Sequence, residues 1–578
     1  MLIRAKIYLL CIAILITKDY NLHAQYGTNP TYPQGYFMYP VKAAIGLNAN
    51  FGELRPNHWH MGLDCKTDKR ENLPLLAAAD GYIAKIKIEP YGFGRAIYIN
   101  HPNGYTTLYA HCNDFYPALE AWVKQQQYAA RKWHIFIDSI PANLFPVTKG
   151  QYIANSGNTG GSQGPHLHFE IRHTATDKVL NPLLFGFNIP DNVPPKISKL
   201  VVYDRCQSVY QQNAITKNLT YTKGVYDAGI ITINTEQVSF AIAASDAVNG
   251  STNPNGIYEA TVYDNDVALC GFRLNDIGYN ETRYLNAHID YKMKAAGGSY
   301  VQHVSALPGY TTGIYTKFSS DGVVHLTDGL PHRIKIIVKD VALNASVVQY
   351  TIINKNAAVT RSKDSMRNAT TIPFYSNNVN VLDKEDIFFY LPQAALYDSI
   401  HFTYAKATSN SPKLYSAIHQ VHTATVPLHV YFTINLKANK DVSNAIINKL
   451  LIKNTYGSKY DVAKANFANG WYSASFRNFG TYSLVYDAVP PVVVPIGIKE
   501  GSNLSKAKGF SIQVTDDYES IRNFEATVDG QWILCSNDKG KVFKHTFDQV
   551  TTPGSHVLRI TVQDEAGNTT EKNINFTR

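Results

Sequence analysis

The chain of 578 residues lacks several features that would assign it to a class of protein at once. It contains no run in which basic and aromatic residues are interleaved, so we exclude a nucleic-acid-binding protein. Beyond the first residues it has no apolar stretch long enough to cross a bilayer. It has only six cysteines and five methionines. Five of the cysteines follow residue 24, and this odd number excludes complete pairing within the chain.

The first 24 residues have the pattern of a cleaved secretory signal. Arg4 and Lys6 precede an apolar run at residues 7–16, and the segment ends in the small residue that signal peptidase prefers. Cys11 lies in the apolar run without the small residues of a lipoprotein cleavage site, which argues against a lipid anchor. We therefore predict an exported protein in the periplasm, the cell envelope or outside the cell, with no membrane span after signal cleavage.

The charge balance is moderately basic. The full chain has a formal net charge of +9, and removal of the predicted signal, which holds three basic residues and one acidic residue, lowers it to +7. A surface of this sign is attracted to the anionic polymers of a cell envelope.

Two short motifs carry the candidate chemistry. One reads His-Met-Gly-Leu-Asp at residues 60–64, and the other reads Gly-Pro-His-Leu-His-Phe-Glu at residues 164–170. Residues two apart on an extended strand share a face, so His166 and His168 are expected to project into the same space. One histidine of this pair can then bind a metal ion while the other stands beside it.

In the first motif, His60, Gly62 and Asp64 share a face by the same rule, and we expect the glycine to leave room for an ion. Two imidazoles and a carboxylate form a ligand set for catalytic zinc, in which a fourth position stays free for water. Zinc lowers the pKa of that water to about 7 and so supplies hydroxide at neutral pH. The residues therefore predict a Zn2+ cofactor and metal-assisted hydrolysis.

A third element, residues 104–111, is a strand-like run whose terminal histidine, His111, can reach the same site. With these three elements, residues 45–172 resemble the LytM/lysostaphin-type zinc metalloendopeptidases, a family that cleaves peptide cross-links of bacterial peptidoglycan. The resemblance extends to Phe-Gly-Glu-Leu-Arg at 51–55, Ala-Ala-Ala-Asp-Gly-Tyr-Ile at 77–83, Asn-His-Pro-Asn-Gly at 100–104, Gly-Gln-Tyr-Ile at 150–153 and Ser-Gly-Asn-Thr-Gly at 156–160. It implies the antiparallel-β fold of that family, the duplicated hybrid motif.

The resemblance also implies the role of each site residue. His60, Asp64 and His168 match the zinc ligands of the family. His166 matches its general base, and His111 matches its second catalytic histidine, which orients water or stabilises the charged intermediate. Relatives that lack ligands act as activators of other hydrolases, whereas this chain keeps the full set.

Residues 115–147 form a longer connection than the compact members of the family have. The pattern within residues 118–131 predicts a helix. Two placements are open: the helix forms one wall of the substrate groove, or it packs on the outside of the domain.

Two cysteines adjoin the site, because Cys65 follows Asp64 and Cys112 follows His111. Each is expected to point away from the metal if its neighbour points toward it. They are either a disulfide pair or small buried thiols. Cys206 and Cys270 form a second conceivable pair.

The rest of the chain is predicted to be mainly β, because short runs of alternating apolar and polar residues lie between turn residues. An internal repeat supports this: residues 332–344 align with 556–568, and residues 258–262 align with 524–528. Both copies end in Asp-x-Ala-x-Asn, which resembles the last hairpin of bacterial immunoglobulin-like domains and predicts β-sandwiches.

Proline pairs set the predicted boundaries. We expect a signal peptide at 1–24, a zinc metallopeptidase domain at 25–189, an immunoglobulin-like sandwich with insertions at 190–357, a β-rich domain at 358–488 and a second immunoglobulin-like sandwich at 489–578. No catalytic constellation appears after residue 189, and the histidines there are interpreted as surface residues.

Two functions fit these observations. The first is a secreted zinc endopeptidase that hydrolyses peptidoglycan peptides. The alternative is a non-catalytic envelope scaffold or hydrolase activator that binds peptidoglycan through a peptidase-like domain. The later modules either bind a cell-envelope protein or glycan, or act as spacers. An upstream residue, Asn48 or Asn50, is a candidate for covering the metal in a latent form.

Overall fold

A computed structural model of the chain describes residues 26, 31–222, 224–311, 313–355 and 371–578. The predicted signal peptide, residues 1–24, lies outside these residues. Within the described part, strands far outnumber helices, which confirms the mainly-β prediction. No helix in that part is long and apolar enough to cross a membrane.

The first region, up to residue 189, is built on a large antiparallel sheet. Its elements are β1 (Leu47–Ala49), β2 (Leu54–Arg55), β3 (His58–Trp59), β4 (Leu63–Lys66), β5 (Pro74–Leu76), β6 (Gly81–Ile88), β7 (Arg95–Asn100), β8 (Tyr105–Ala110), β9 (Asp114–Phe115), α1 (Pro117–Ala130), β10 (Ile135–Ile137), β11 (Pro146–Val147), β12 (Tyr152–Asn155), β13 (His166–His173), β14 (Val179–Leu180) and a 3₁₀ helix at Pro182–Phe185. The sheet has the order β1-β4-β13-β8-β7-β6-β10. The helix predicted at residues 118–131 is present as α1.

Strand β13 crosses the middle of this sheet and shows why the histidines share a face. Leu167, Phe169 and Ile171 are fully buried in the core of the first region. The intervening side chains, which include His166 and His168, turn to the opposite face because the side-chain period of a strand is two.

The second region, residues 190–357, contains two larger sheets. Its elements are β15 (Lys196–Asp204), β16 (Ile215–Lys217), β17 (Thr220–Thr222), β18 (Val225–Ile233), β19 (Gln237–Ser245), β20 (Glu259–Asp264), β21 (Val267–Arg273), β22 (Asp276–Ile277), a 3₁₀ helix at Thr282–Tyr284, α2 (Leu285–His288), α3 (Tyr291–Ala295), β23 (Gln302–His303), β24 (Tyr315–Lys317), β25 (Val324–His325), β26 (His332–Lys339) and β27 (Ala345–Asn354). The sheets have the orders β16-β15-β19-β23 and β17-β18-β27-β26-β20-β21-β24.

The third region is described from residue 371 to residue 488. Its elements are β28 (Ile372–Phe374), β29 (Asn380–Asp383), β30 (Ile387–Leu391), β31 (Ile400–Phe402), β32 (Tyr404–Ala407), β33 (Ile418–Val421), β34 (Pro427–Leu436), α4 (Asn444–Ile447), β35 (Leu450–Tyr456), β36 (Lys459–Lys464), β37 (Asn466–Ala468), β38 (Trp471–Asn478) and β39 (Gly480–Tyr486). Its two main sheets have the orders β29-β30-β34-β38-β37 and β32-β33-β39-β35-β36.

The fourth region, residues 489–578, has one core of its own. Its strands are β40 (Val492–Ile496), β41 (Ser502–Asn503), β42 (Gly509–Thr515), β43 (Ile521–Val528), β44 (Gln531–Trp532), β45 (Cys535–Ser536), β46 (Val542–Thr546), β47 (Ser555–Asp564) and β48 (Thr569–Thr577). They form sheets with the orders β40-β42-β46-β45 and β41-β48-β47-β43-β44.

The sequence repeat is also a structural repeat. Strands β20 and β26 of the second region are antiparallel neighbours, and so are the aligned strands β43 and β47 of the fourth region. Ser346 donates a hydrogen bond to the carbonyl of Pro195 at 2.6 Å, and Thr570 donates one to Pro491 at 2.6 Å. These equivalent contacts link each copy to its proline pair in the same way.

The first and second regions are joined by more than a linker. Strand β22 pairs with β14 and so continues the large sheet of the first region into the second. Phe51, Trp59 and Met61 pack in the hydrophobic core that includes the second region. The two regions therefore share a sheet and part of a core.

Candidate metal centre

Strand pairing brings the sequence-predicted site residues together. In the register of β13 and β4, His168 lies opposite Asp64, and on its other side His168 lies opposite Ala110 of β8. His111 comes directly after β8, and His60 lies shortly before β4. All five candidate residues therefore meet at one end of the three central strands.

Gly62 permits this approach, although for a different reason from the one we expected. A Cβ atom at this position would lie 2.4 Å from the carbonyl oxygen of Phe169 and 3.0 Å from Cε1 of His168. The missing side chain thus makes room for the backbone of β13 and for a histidine ring. That it also leaves space for the ion itself stays a prediction.

Three donor atoms converge at the centre of the site. Nε2 of His60 lies 2.9 Å from Oδ1 of Asp64 and 3.0 Å from Nδ1 of His168, and the last two atoms are 3.1 Å apart. All three side chains are buried. Such a triangle of two imidazoles and a carboxylate has the composition of a metal site.

The other ring nitrogen of His60 and of His168 is already engaged. Nδ1 of His60 is 2.7 Å from the carbonyl oxygen of Asn50, so it donates a hydrogen there. Nε2 of His168 is 2.8 Å from Oε1 of Glu170 and donates to that carboxylate. These partners select the tautomers that aim a lone pair from each ring at Asp64. Three lone pairs this close require a proton or a cation between them, and the donor set therefore fits a bound metal ion.

Electrostatics support the same conclusion. Burial alone would raise the pKa of Asp64, but His60 and hydrogen bonds from His166 and His168 hold that pKa well below its ordinary value. Asp64 is therefore a carboxylate at neutral pH. Arg55 lies 3.4 Å from Oδ2, which leaves Oδ1 as the atom at the centre of the triangle.

His111 and His166 lie beside the triangle with their ring centroids 4.8 Å apart. Nδ1 of His111 donates to the carbonyl of Thr159 at 2.8 Å, and Nδ1 of His166 donates to that of Gly164 at 2.8 Å. Nε2 of His166 is 3.3 Å from Oδ1 of Asp64. Both rings are thus oriented by backbone carbonyls, with Nε2 turned away from those carbonyls.

Glu170 is a site residue that the sequence reasoning missed. It is fully buried, and its second oxygen accepts a hydrogen bond from Nε of Arg172 at 2.7 Å. Burial would raise its pKa, but Arg172 and His168 lower it to about 2. Its position two residues after His168, on the same face of β13, was the signal that could have identified it.

The second region also reaches the centre. The hydroxyl of Tyr279 donates to Oε1 of Glu170 at 2.5 Å, the same oxygen that holds His168. The side chain of Asn50 exchanges two hydrogen bonds with the backbone of Gly256, at 2.9 and 2.8 Å. Each ligand histidine is therefore supported by a group that the second region holds in place, and no local sequence pattern indicates this.

Asn50 is consequently excluded as a cover over the metal. Its side chain is buried against Gly256, and only its carbonyl oxygen faces His60. Asn48 lines the groove in front of the site.

That groove has a volume of about 900 Å³ and contains the metal centre. Basic side chains that line it are Arg55, Lys69 and Lys87. Its described lining includes no residue of α1, which decides between the two predicted placements of the helix. Helix α1 instead faces the fourth region, where Lys124 lies 3.0 Å from Asp548.

Each cysteine of the described chain is a free thiol. Cys65 of β4 and Cys112, two residues after β8, are buried in the core of the first region, and burial raises the pKa of both thiols. The structure thus supports buried thiols over a disulfide, and Cys206 and Cys270 are unpaired too.

Several later histidines are not surface residues, so that interpretation was wrong. Buried examples are His288, His303, His419, His422 and His545. They pack against aromatic rings, as His288 does on Phe272, and burial lowers their pKa so that they remain neutral.

The buried His-Asp-His triangle has the donor set of a metal site and lies within a mainly-β fold. Consistent with this, the profile of peptidase family M23 matches residues 58–132 and 145–182, and the chain therefore carries a domain of that family. The profile of the Zu5-like domain matches residues 371–487.

Individual relatives are similar over the same part of the chain. An uncharacterized metalloprotease of Haemophilus influenzae is 30% identical over 162 residues, or 26% of this chain and 28% of that protein. DD-carboxypeptidase/endopeptidase Mpg of Neisseria meningitidis is 29% identical over 172 residues, 30% of each chain. Peptidoglycan DD-endopeptidase ShyA of Vibrio cholerae is 27% identical over 167 residues, 28% of this chain and 33% of that protein. The match thus spans no more than a third of each relative.

Proposed function

We propose that the chain is an exported zinc-dependent endopeptidase that hydrolyses the peptide cross-links of bacterial peptidoglycan. The observation that carries this proposal is the convergence of His60, Asp64 and His168 within the segment that matches peptidase family M23. The names of Mpg and ShyA support peptidoglycan peptides as the substrate class.

In this proposal, Nε2 of His60, Oδ1 of Asp64 and Nδ1 of His168 would hold the zinc ion. When bound, zinc would polarise the scissile carbonyl and lower the pKa of a water to about 7. Asn50 and Glu170 keep both imidazoles in the orientation that binding requires.

His166 is proposed as the general base. Its Nδ1–H is committed to Gly164, so the basic Nε2 faces the site. It takes a proton from water as the new carbon–oxygen bond forms, and it returns that proton to the leaving amine as the carbon–nitrogen bond breaks. Proton transfer by a positioned side chain contributes about 10²- to 10⁴-fold to a rate.

His111 is proposed to orient the water. Burial and the neighbouring His166 and His168 lower its pKa to about 3, so the ring is neutral at physiological pH. Since its Nδ1–H donates to Thr159, its Nε2 carries no hydrogen and can only accept a hydrogen bond. This tautomer favours orientation of water over donation to a developing oxyanion.

The groove fits a peptide that carries free carboxylates. Arg55 lies 3.2 Å from Glu53 and Lys87 lies 2.9 Å from Glu89. Lys69, which is exposed, is the lining lysine outside the described ion pairs, and it is the group proposed to meet a substrate carboxylate. Stem peptides of peptidoglycan carry such carboxylates, and the predicted export of the chain would bring it to that substrate.

The decisive experiment measures the release of new amino termini from purified peptidoglycan by the chain without residues 1–24. We expect cleavage that a chelator stops and zinc restores. His168→Ala and Asp64→Ala should lose both zinc and hydrolysis, whereas His166→Ala should keep zinc and lose hydrolysis. His173→Ala is the matched control, because this histidine lies at the exposed end of the same strand.

Two results would contradict the proposal. Full activity of His168→Ala would refute the ligand assignment. Stoichiometric zinc without cleavage of any peptidoglycan peptide would favour the alternative, a non-catalytic protein that binds peptidoglycan through its M23 domain.

A further inference from the structure

The two copies of the repeat carry acidic residues at equivalent positions, apart from the metal centre. Asp191 begins the sequence Asp-Asn-Val-Pro-Pro that leads into the second region, and Asp487 begins Asp-Ala-Val-Pro-Pro ahead of the fourth region. Each aspartate lies five residues before the first strand of its copy, β15 or β40.

Strand register brings a second aspartate to the same place in both copies. Lys196 of β15 pairs with Ser245, and the next residue is Asp246. Val492 of β40 pairs with Thr515, and the next residue is Asp516. The second aspartate thus follows the end of the partner strand in both copies, next to the linker.

The repeated Asp-x-Ala-x-Asn sequence places a further aspartate beside the linker, Asp340 in the first copy and Asp564 in the second. In the first copy, Nδ2 of Asn344 donates to Asp340 at 2.8 Å and to the carbonyl of Asp191 at 3.3 Å. In the second copy, Asn568 makes the same two contacts, to Asp564 at 2.8 Å and to Asp487 at 3.4 Å. Two copies with different insertions have kept one arrangement.

The carboxylates lie close enough to share an ion. In the first copy, one oxygen each of Asp191, Asp246 and Asp340 lies within 4.8 Å of the others. In the second copy the carboxylates within this distance are those of Asp487, Asp516 and Asp517, so Asp517 and not Asp564 supplies the third one. Oxygens bound to one Ca2+ at about 2.3–2.6 Å can be up to about 5 Å apart.

Buried oxygens in both clusters have no partner within the described residues. Asp246 is 6% exposed and its Oδ1 accepts no hydrogen bond, and Asp487 is 2% exposed and its Oδ2 accepts none. Asn255, whose backbone pairs with that of Asp246, leaves a buried amide oxygen unpartnered as well. A buried carboxylate oxygen without a partner is costly, so these atoms indicate a missing cation.

Among the described residues, no Lys, Arg or His forms an ion pair with these carboxylates. None of the described ion pairs includes Asp191, Asp246, Asp340, Asp487, Asp516, Asp517 or Asp564. Burial and the neighbouring carboxylates raise the pKa of Asp246 to about 7, and burial is the main cause that raises the pKa of Asp487 to about 6.

We propose that each copy of the repeat binds one hard divalent cation of the Ca2+ type, at its junction with the preceding region. The donors are oxygens, with no histidine or cysteine among them, which favours Ca2+ over zinc. The bound ion would tie the linker aspartate to Asp246 and Asp340 in the first copy, and to Asp516 and Asp517 in the second, and so stiffen each junction. This inference is independent of the proposed peptidase activity.

The test is calorimetric titration of the zinc-loaded protein with CaCl2 after removal of calcium. We expect two Ca2+ per chain, with dissociation constants on the order of 10⁻⁴ to 10⁻³ M, as in extracellular modules. Asp246→Asn and Asp487→Asn should each bind one, and the double variant should bind none. Asp383→Asn, an exposed aspartate of β29, is the control and should bind two.

Thermal unfolding distinguishes calcium binding by these aspartates from a contribution of the same residues to folding alone. Calcium should raise the unfolding temperature of the natural protein but raise it less for each variant. Without calcium, the variants should be at least as stable as the natural protein, because each loses a buried negative charge. The proposal is overturned if the protein binds no calcium at millimolar concentration, or if folded variants with unchanged zinc content still bind two.

Discussion

The two copies of the repeat contact the M23 domain in different ways. The second region extends the large sheet through β22 and sends Tyr279 to the buried Glu170. The fourth region contacts surface groups: Arg131 pairs with Glu525 at 2.5 Å, and Lys539 donates to the carbonyl of Ser162 at 2.8 Å. One copy therefore supports the metal centre, and the other braces α1 and a loop beside the groove.

The difference shows what an insertion adds to a repeated framework. The segment between the aligned strands runs over residues 263–331 in the first copy and only 529–555 in the second. The longer segment contains β22 and Tyr279. Buried hydrogen bonds to charged groups contribute about 1.5–3 kcal/mol each, whereas exposed ion pairs contribute about 0–1 kcal/mol. We therefore expect the first copy to control metal binding and the second to affect it little.

The largest expected effect is that of pH on zinc affinity. Burial lowers the pKa of His168, but hydrogen bonds to Asp64 and Glu170 outweigh it and raise that pKa to about 9 in the metal-free protein. Zinc must displace this proton, so its affinity should fall about tenfold per pH unit below 9. Competition with a chromophoric chelator between pH 6 and 9 measures it.

The raised pKa of His168 has the opposite effect on the stability of the metal-free fold, which should fall as the pH rises. A pKa raised above the ordinary 6.5 stabilises the fold fully below that pH, and the stabilisation is lost as the pH rises through 9. Zinc affinity that does not change with pH would contradict the contact of Glu170 with His168.

Glu170→Gln should have the next largest effect. It removes the charge that accepts hydrogen bonds from His168, Arg172 and Tyr279, and loss of such an outer partner lowers metal affinity about 10- to 100-fold. We expect the upper end of this range, measured by chelator competition at pH 7.5. A variant that stays folded and keeps full zinc affinity would show that the tautomer of His168 needs no carboxylate.

Tyr279→Phe tests the contribution of the first copy directly. Losing one hydrogen bond to Glu170 should lower zinc affinity by about tenfold and leave the fold intact. Tyr221→Phe is the matched control, because Tyr221 belongs to the same region and is 62% exposed. Equal zinc affinity in both variants would show that the first copy only packs against the M23 domain and does not affect metal binding.

Glu525→Gln should have the smallest effect and completes the comparison. It breaks the ion pair with Arg131 on the second copy, which should cost no more than about 1 kcal/mol in the free energy of unfolding. Zinc affinity should not change. Denaturant unfolding and chelator competition measure the two quantities, and a loss of zinc would place the second copy in the metal centre.

Much of the candidate site was predictable because it depends on short-range geometry. The spacing of His166 and His168 placed both on one face of a strand, and the helix at α1 followed from its local pattern. The support from Asn50 and Tyr279 was not predictable, because their partners lie far away in the chain. The buried histidines of later regions were also missed, since a histidine carries no local sign of the aromatic neighbours that exclude water.

The sequence by itself determined the donor set, the strand character and the duplication of the module, because each follows from residue type and from periodicity over a few residues. Only the tertiary structure decided which groups orient the ligand histidines and where the helix and the two modules lie. It also decided that aspartates about 150 residues apart in the first copy, such as Asp191 and Asp340, lie in one cluster. Those outcomes depend on packing between distant segments, which no local pattern encodes.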